Sequence, residues 1–128
     1  NHIATIKLYP GISEEVIFSI INIPNLKAIV LETFGAGNGP TQLWFINLLI
    51  KAAEKDIILL NISQCESGSV DQGKYETSSA FNKIGVISGK DMTYEAAVTK
   101  LMYLLGTDLS SEKVKEWLQK PLRGEMTS

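Results

Sequence analysis

Apolar residues along this chain fall into two alternating patterns, short continuous runs and longer stretches at helical spacing. Ile3 to Leu8, with Ile3, Ile6 and Leu8 apolar, predicts a first strand, closed by the turn signal Tyr9-Pro10-Gly11. Ser13 is suited to cap a helix, with Glu14 and Glu15 favourable to the dipole in its first turn. Val16, Ile17, Ile20 and Ile21 form an apolar stripe, so the helix runs to about Asn22 and stops before Pro24. Lys27 to Phe34 predicts a second strand, whose β-branched, unbroken apolar run suits a sheet buried on both faces. The helical pattern from Thr41 to Lys55 carries Leu43, Phe45, Ile46, Leu49, Ile50 and Ala53, widened by Trp44 and Leu48. That face is broader than a surface helix needs, which implies a core helix or a subunit interface.

Ile57 to Ile62 predicts a third strand. Gln64 to Ser78 is then polar for fifteen residues, long for a plain connection and typical of a functional loop or a disordered one. A short helix is expected from Ser79 to Ile84 and a fourth strand in Gly85-Val86-Ile87-Ser88-Gly89. Asp91 or Thr93 caps the next helix, with Ala96, Ala97, Leu101, Leu104 and Leu105 inward, Met102 beside them and Gly106 as its stop. A last helix capped near Ser110 turns Val114, Trp117 and Leu118 inward and ends at Pro121. Strands alternating with helices predict an α/β class: a three-layer domain, Rossmann-like or flavodoxin-like, with a parallel sheet of about four strands and right-handed crossovers.

The 128 residues make a single domain, 1–128, large enough for a core of its own. A hydrophobic content of 45% with 20% charged residues is that of a globular protein, and a net charge of −2 gives no electrostatic footprint for nucleic acid. No apolar run approaches the ~20 residues a membrane span needs. Asn1-His2-Ile3 has neither the basic region nor the long apolar region of a secretory leader, and the missing Met at position 1 is what a piece of a longer chain would show. Cys65 is the single cysteine, which precludes an internal disulfide and fits a reducing compartment. The single histidine is His2, so a Ser-His-Asp or Cys-His arrangement would have to use the terminus. No zinc ligand cluster, HExxH or P-loop lysine pattern occurs, so no metal or other cofactor is expected.

Strand, glycine-rich turn and helix meet at Glu32-Thr33-Phe34-Gly35-Ala36-Gly37-Asn38-Gly39-Pro40. The glycines allow positive φ and close approach of a bound group, Pro40 fits the first turn of a helix, and helix-terminal N–H groups would face a small carboxylate. Gly35 and Gly37 occupy the first two positions of a dinucleotide fingerprint, but Pro40 takes the third, which argues against a dinucleotide. The alternative is a tight βα connection with no ligand. Asn38 is either a ligand-orienting amide or a turn residue that tolerates positive φ.

This segment, with Asn61-Ile62-Ser63-Gln64-Cys65, Gly85-Val86-Ile87-Ser88-Gly89, Asp91-Met92-Thr93-Tyr94-Glu95-Ala96-Ala97 and Leu122-Arg123-Gly124-Glu125-Met126-Thr127, closely resembles the C-terminal domain of type I, cytoplasmic L-asparaginases. The match runs in one order from about Leu8 to Thr127. The resemblance implies hydrolysis of L-asparagine to L-aspartate and ammonia in a cytoplasmic homodimer or homotetramer. It places the threonine nucleophile, and the threonine–aspartate–lysine group that activates a second threonine, in an N-terminal domain outside this chain. No catalytic residue is therefore expected here, and the isolated chain should be inactive. It assigns to Gly37, Asn38 and Gly39 the task of completing a neighbouring subunit's substrate site, with Pro40 where periplasmic relatives carry a second asparagine. It also implies an effector site for a second asparagine at Cys65 and position 32. Glu32 stands where some bacterial type I enzymes carry arginine, which reverses the charge facing an effector carboxylate and is expected to weaken or reshape that site. Two other readings stay open: an asparagine-sensing regulatory domain, and the asparaginase-like subunit of a tRNA-dependent amidotransferase. A purely structural oligomerisation domain is the fallback.

Overall fold

The computed structural model describes residues 2–9, 11–33, 43–63, 76–90 and 92–120. Nine elements follow in chain order: β1 (Ile3–Lys7), α1 (Glu14–Ile21), β2 (Ala28–Thr33), α2 (Leu43–Glu54), β3 (Ile58–Ser63), α3 (Glu76–Ile84), β4 (Ile87–Ser88), α4 (Tyr94–Leu105) and α5 (Ser111–Leu118). The strands form one parallel sheet in the order β1-β2-β3-β4. The three-layer α/β expectation therefore holds.

Alternation along the buried strands divides the core in two. Ile29 and Leu31 of β2 and Leu59 of β3 pack with Ile17, Ile21, Phe45, Leu49 and Phe81, so α1, α2 and α3 cover one face. Ala28, Val30, Ile58, Leu60 and Ile62 pack with Ala97, Leu101, Leu104, Val114 and Leu118, so α4 and α5 cover the other. All three crossover helices share one face while the strands step in one direction, so all three connections have the same hand.

Local chemistry accounts for the helix ends. Ser13, Thr93 and Ser110 each accept a bond from the backbone N–H three residues on, which satisfies one first-turn donor in each helix. Thr93, not Asp91, is thus the cap of α4. At the end of α1 the Lys55 ammonium donates to Asn22 Oδ1 at 2.6 Å and to the Ile21 carbonyl at 3.5 Å, a cation where the helix dipole favours one. The Ser111 hydroxyl donates to the Asp56 carboxylate at 2.8 Å, tying α5 to the turn between α2 and β3.

Several boundaries and faces differ from the sequence expectation. Helix α3 begins at Glu76, three residues early, and β4 keeps only two residues of the expected run. Gly106 ends α4 at φ −80° with no left-handed turn, its N–H shared between the Met102 and Tyr103 carbonyls. The buried face of α2 is Phe45, Leu48, Leu49 and Ala52. Leu43, expected in the core, is 73% exposed, and Ile50 is 39% exposed. Val16, Met102 and Trp117 are likewise exposed; Trp117 instead receives the Lys120 ammonium over its ring at 5.1 Å. Lys100, on the inward face of α4, is only 5% exposed. Its ammonium donates to the Leu118 carbonyl at 3.3 Å and to the Lys120 carbonyl, closing the end of α5.

Candidate functional site

A parallel sheet gathers all its strand ends at one edge, and the segments with the most chemistry leave from it. Thr33 ends β2 and Ser63 ends β3, and the two are paired in register. The glycine-rich stretch and the long polar stretch therefore depart from adjacent points about 5 Å apart. Gly37, Asn38, Gly39, Pro40 and Cys65 lie outside the described residues.

Glu32 is the expected site residue that the described fold contains. It is half-buried near the end of β2. Its register neighbours are Lys7 on β1 and Ile62 on β3, and its carbonyl accepts the Leu8 N–H at 2.9 Å. Parallel pairing puts paired side chains on one face. The carboxylate therefore stands on the α4–α5 face between an ammonium-bearing residue and an apolar one.

Two residues at this edge had been given no role from the sequence. Thr33 and Asn61 are both fully buried. The Thr33 hydroxyl donates to Asn61 Oδ1 at 2.8 Å and lies 3.1 Å from the Ile62 carbonyl. Across β3, the Gly89 N–H donates to the Asn61 carbonyl at 2.8 Å. Asn61 thus joins the ends of β2 and β4 through its side chain and its backbone. The signal was present, since both are polar positions in largely apolar strands, and a buried polar group demands a partner. Thr33→Val removes the hydroxyl donor and should cost about 1–2 kcal/mol, visible as a lower urea midpoint at unchanged slope. Thr33→Ser should recover most of that loss, and a Val variant as stable as the parent would count against the bond.

The turn after β4 is equally tight. The Ser88 hydroxyl accepts the Lys90 N–H at 3.2 Å, and Lys90 adopts a left-handed φ of 55°. The strand order has no reversal, so the described elements lack the crevice that opens where neighbouring connections diverge to opposite faces. A shallow depression of about 370 Å³ lies elsewhere, between the C-terminal ends of α2 and α3, lined by Ile50, Ala53, Glu54, Lys83 and Ile84. Those helices run back from the carboxyl edge, so the depression sits at the opposite end of the sheet.

Among the described residues no group of three His, Cys, Asp or Glu could hold a metal ion. The imidazole of His2 has its Nδ1 3.0 Å from the Asn25 carbonyl, in a structural contact. No described helix is long and apolar enough to cross a membrane.

The model of the glutaminase/asparaginase C-terminal domain matches residues 2–118. The chain belongs to this family. The Escherichia coli (strain K12) protein L-asparaginase 1 is 41% identical over 125 residues, covering 98% of this chain and 37% of that protein. The crystal structure of L-asparaginase I from Vibrio cholerae superposes with a TM-score of 0.93 at 46% identity, over 100% of this chain and 38% of that one. The asparaginase C-terminal domain also occurs in proteins with other names. The human 60 kDa lysophospholipase is 44% identical over 98% of this chain and 22% of its own length. A glutamyl-tRNA(Gln) amidotransferase component from Pyrococcus abyssi is 35% identical over 98% of this chain and 28% of its own. This chain thus spans little more than a third of the first of these relatives.

Proposed function

We propose that this chain is the C-terminal domain of a cytoplasmic, type I L-asparaginase that hydrolyses L-asparagine to L-aspartate and ammonia. The observation that carries the reading is the likeness to Vibrio cholerae L-asparaginase I along the whole chain, with the same fold. In this reading Gly37, Asn38 and Gly39 complete the substrate site of a neighbouring subunit in a homodimer or homotetramer, and the Asn38 amide orients the α-amino or carboxylate end of asparagine. The nucleophile belongs to an N-terminal domain. The amidotransferase reading has weaker support, since the Pyrococcus abyssi protein is less similar than either asparaginase.

The test is ammonia release against L-asparagine concentration on the full-length protein carrying this domain, with the 128-residue chain as comparison. The full-length protein should be active and the chain alone silent. Ammonia release by the isolated chain, or none from the full-length protein with asparagine or glutamine, would remove the reading. In the same experiment Glu32 predicts a hyperbolic curve, because a carboxylate opposes an effector carboxylate. A sigmoidal curve would mean that effector coupling survives Glu32.

A further inference from the structure

We propose that Thr33 and Asn61 are positioning residues for the substrate site, their buried bond fixing the strand ends from which Gly37, Asn38 and Gly39 are presented to asparagine. The proposal rests on the asparaginase reading above. Among the described residues the buried polar or charged side chains are those of Thr33, Asn61 and Lys100. Lys100 closes the end of α5. The other two are bonded to each other where β2 and β3 reach the carboxyl edge: Thr33 is the last residue of β2, and Asn61 lies two residues before the end of β3.

Stability alone does not call for this pair. Strands β2 and β3 already match along all six of their residues, and apolar side chains fill both faces beside them. Two apolar groups of the same shape would serve stability as well, since replacing both partners of a buried hydrogen bond is close to neutral. What apolar contact lacks is direction: burial is non-directional, whereas a hydrogen bond fixes a distance and an angle. Thr33 reaches diagonally past its register partner Ser63 to Asn61. The Asn61 carbonyl in turn holds the Gly89 N–H, and its register partner Ser88 accepts the Lys90 N–H as the chain leaves β4. The connections after β2, β3 and β4 therefore start from points tied to one buried amide residue. Gly37 follows Thr33 by four residues, so a shift of the β2 end is passed on over a short span. A misplacement of about 1 Å in a substrate-positioning group can cost on the order of a hundredfold in rate.

The test is steady-state ammonia release by the full-length protein, with thermal unfolding on the same samples. Thr33→Val should raise KM for L-asparagine about tenfold and lower kcat by less, because the contacts disturbed are those to the non-reacting end of the substrate. Thr33→Ser keeps the donor and should hold KM within about twofold of the parent value. The protein that separates positioning from stability is the double variant, Thr33→Val with Asn61→Leu. With both partners of the bond removed, its unfolding midpoint should return to within a few degrees of the parent, while KM stays raised. A double variant in which KM and midpoint recover together would make the pair structural only and overturn the proposal. An unchanged KM in Thr33→Val, or a serine variant as impaired as the valine one, would also sink it. Should Thr33→Val fail to fold, the KM of the double variant decides alone. An unaltered protein that releases no ammonia removes the asparaginase reading itself, whereas failure of the positioning role leaves that activity in place and shows only in the variants.

Discussion

Phe45→Ala should lower the stability of this fold by about 3–5 kcal/mol, among the largest losses a single truncation produces. Phe45 is fully buried on the α1–α3 face of the sheet. Its ring meets Trp44 edge-on at 6.0 Å and Phe81 at 6.2 Å, tilted by 53°. Removing the ring therefore opens a cavity between α2, α3 and the sheet, and also removes two aromatic contacts. A domain of ordinary stability has about 5–15 kcal/mol to lose. The unfolding midpoint should fall on the order of 10–20 °C. Ile50→Ala, on the same helix but at an exposed position, should change the stability of an isolated copy by well under 1 kcal/mol. The contrast tests which face of α2 is buried. Equal losses at the two positions would put the helix in the wrong rotation.

That rotation could not be read from the sequence, for a definite reason. Seven of the first eight residues of α2 are apolar, Asn47 being the exception. An apolar stripe chooses a face only when polar residues mark the other side, and in the first two turns of α2 only Asn47 does so. Strands β2 and β3 were legible because buried parallel strands are continuous apolar runs, and three caps were legible because serine and threonine precede the helices they close. Lys100 was missed because a lysine on an inward face reads as solvated, and only the carbonyls at the end of α5 make its burial tolerable. Of the candidate site, the edge was legible from the chain order, whereas Glu32 was singled out only through the family resemblance. The Thr33–Asn61 bond links residues 28 positions apart and depends on strand order and register, which periodicity does not encode. The monotonic strand order was likewise beyond the pattern, because the same crossovers would serve several orders.

Gly89→Ala carries the second large expectation, because this glycine is required by a neighbour and not by its own backbone. Its position shows none of the left-handed φ that Gly11 and Gly85 adopt. A Cβ placed on it would stand 2.7 Å from Ile62 Cγ2 and 3.1 Å from the Asn61 carbonyl oxygen. The first of these atoms is a branch on Cβ of a fully buried isoleucine, with little freedom to turn away. The second is backbone and already accepts the Gly89 N–H. Relief must come from separating β4 from β3, so the substitution should cost about 1–3 kcal/mol despite adding a single methyl group. Ile62→Val keeps Cγ2 in its usual rotamer and should not rescue it, whereas Ile62→Ala removes that methyl and should recover part of the loss in the double variant. Urea unfolding of the four proteins forms a double-mutant cycle. A coupling near zero would show that Ile62 is not the wall. A favourable coupling of about 1 kcal/mol would show that Gly89 is small so that β4 can lie against Ile62 and Asn61. The cost of a side chain would then fall on the carboxyl edge, where Asn61 joins the strand ends from which the glycine-rich and polar segments leave.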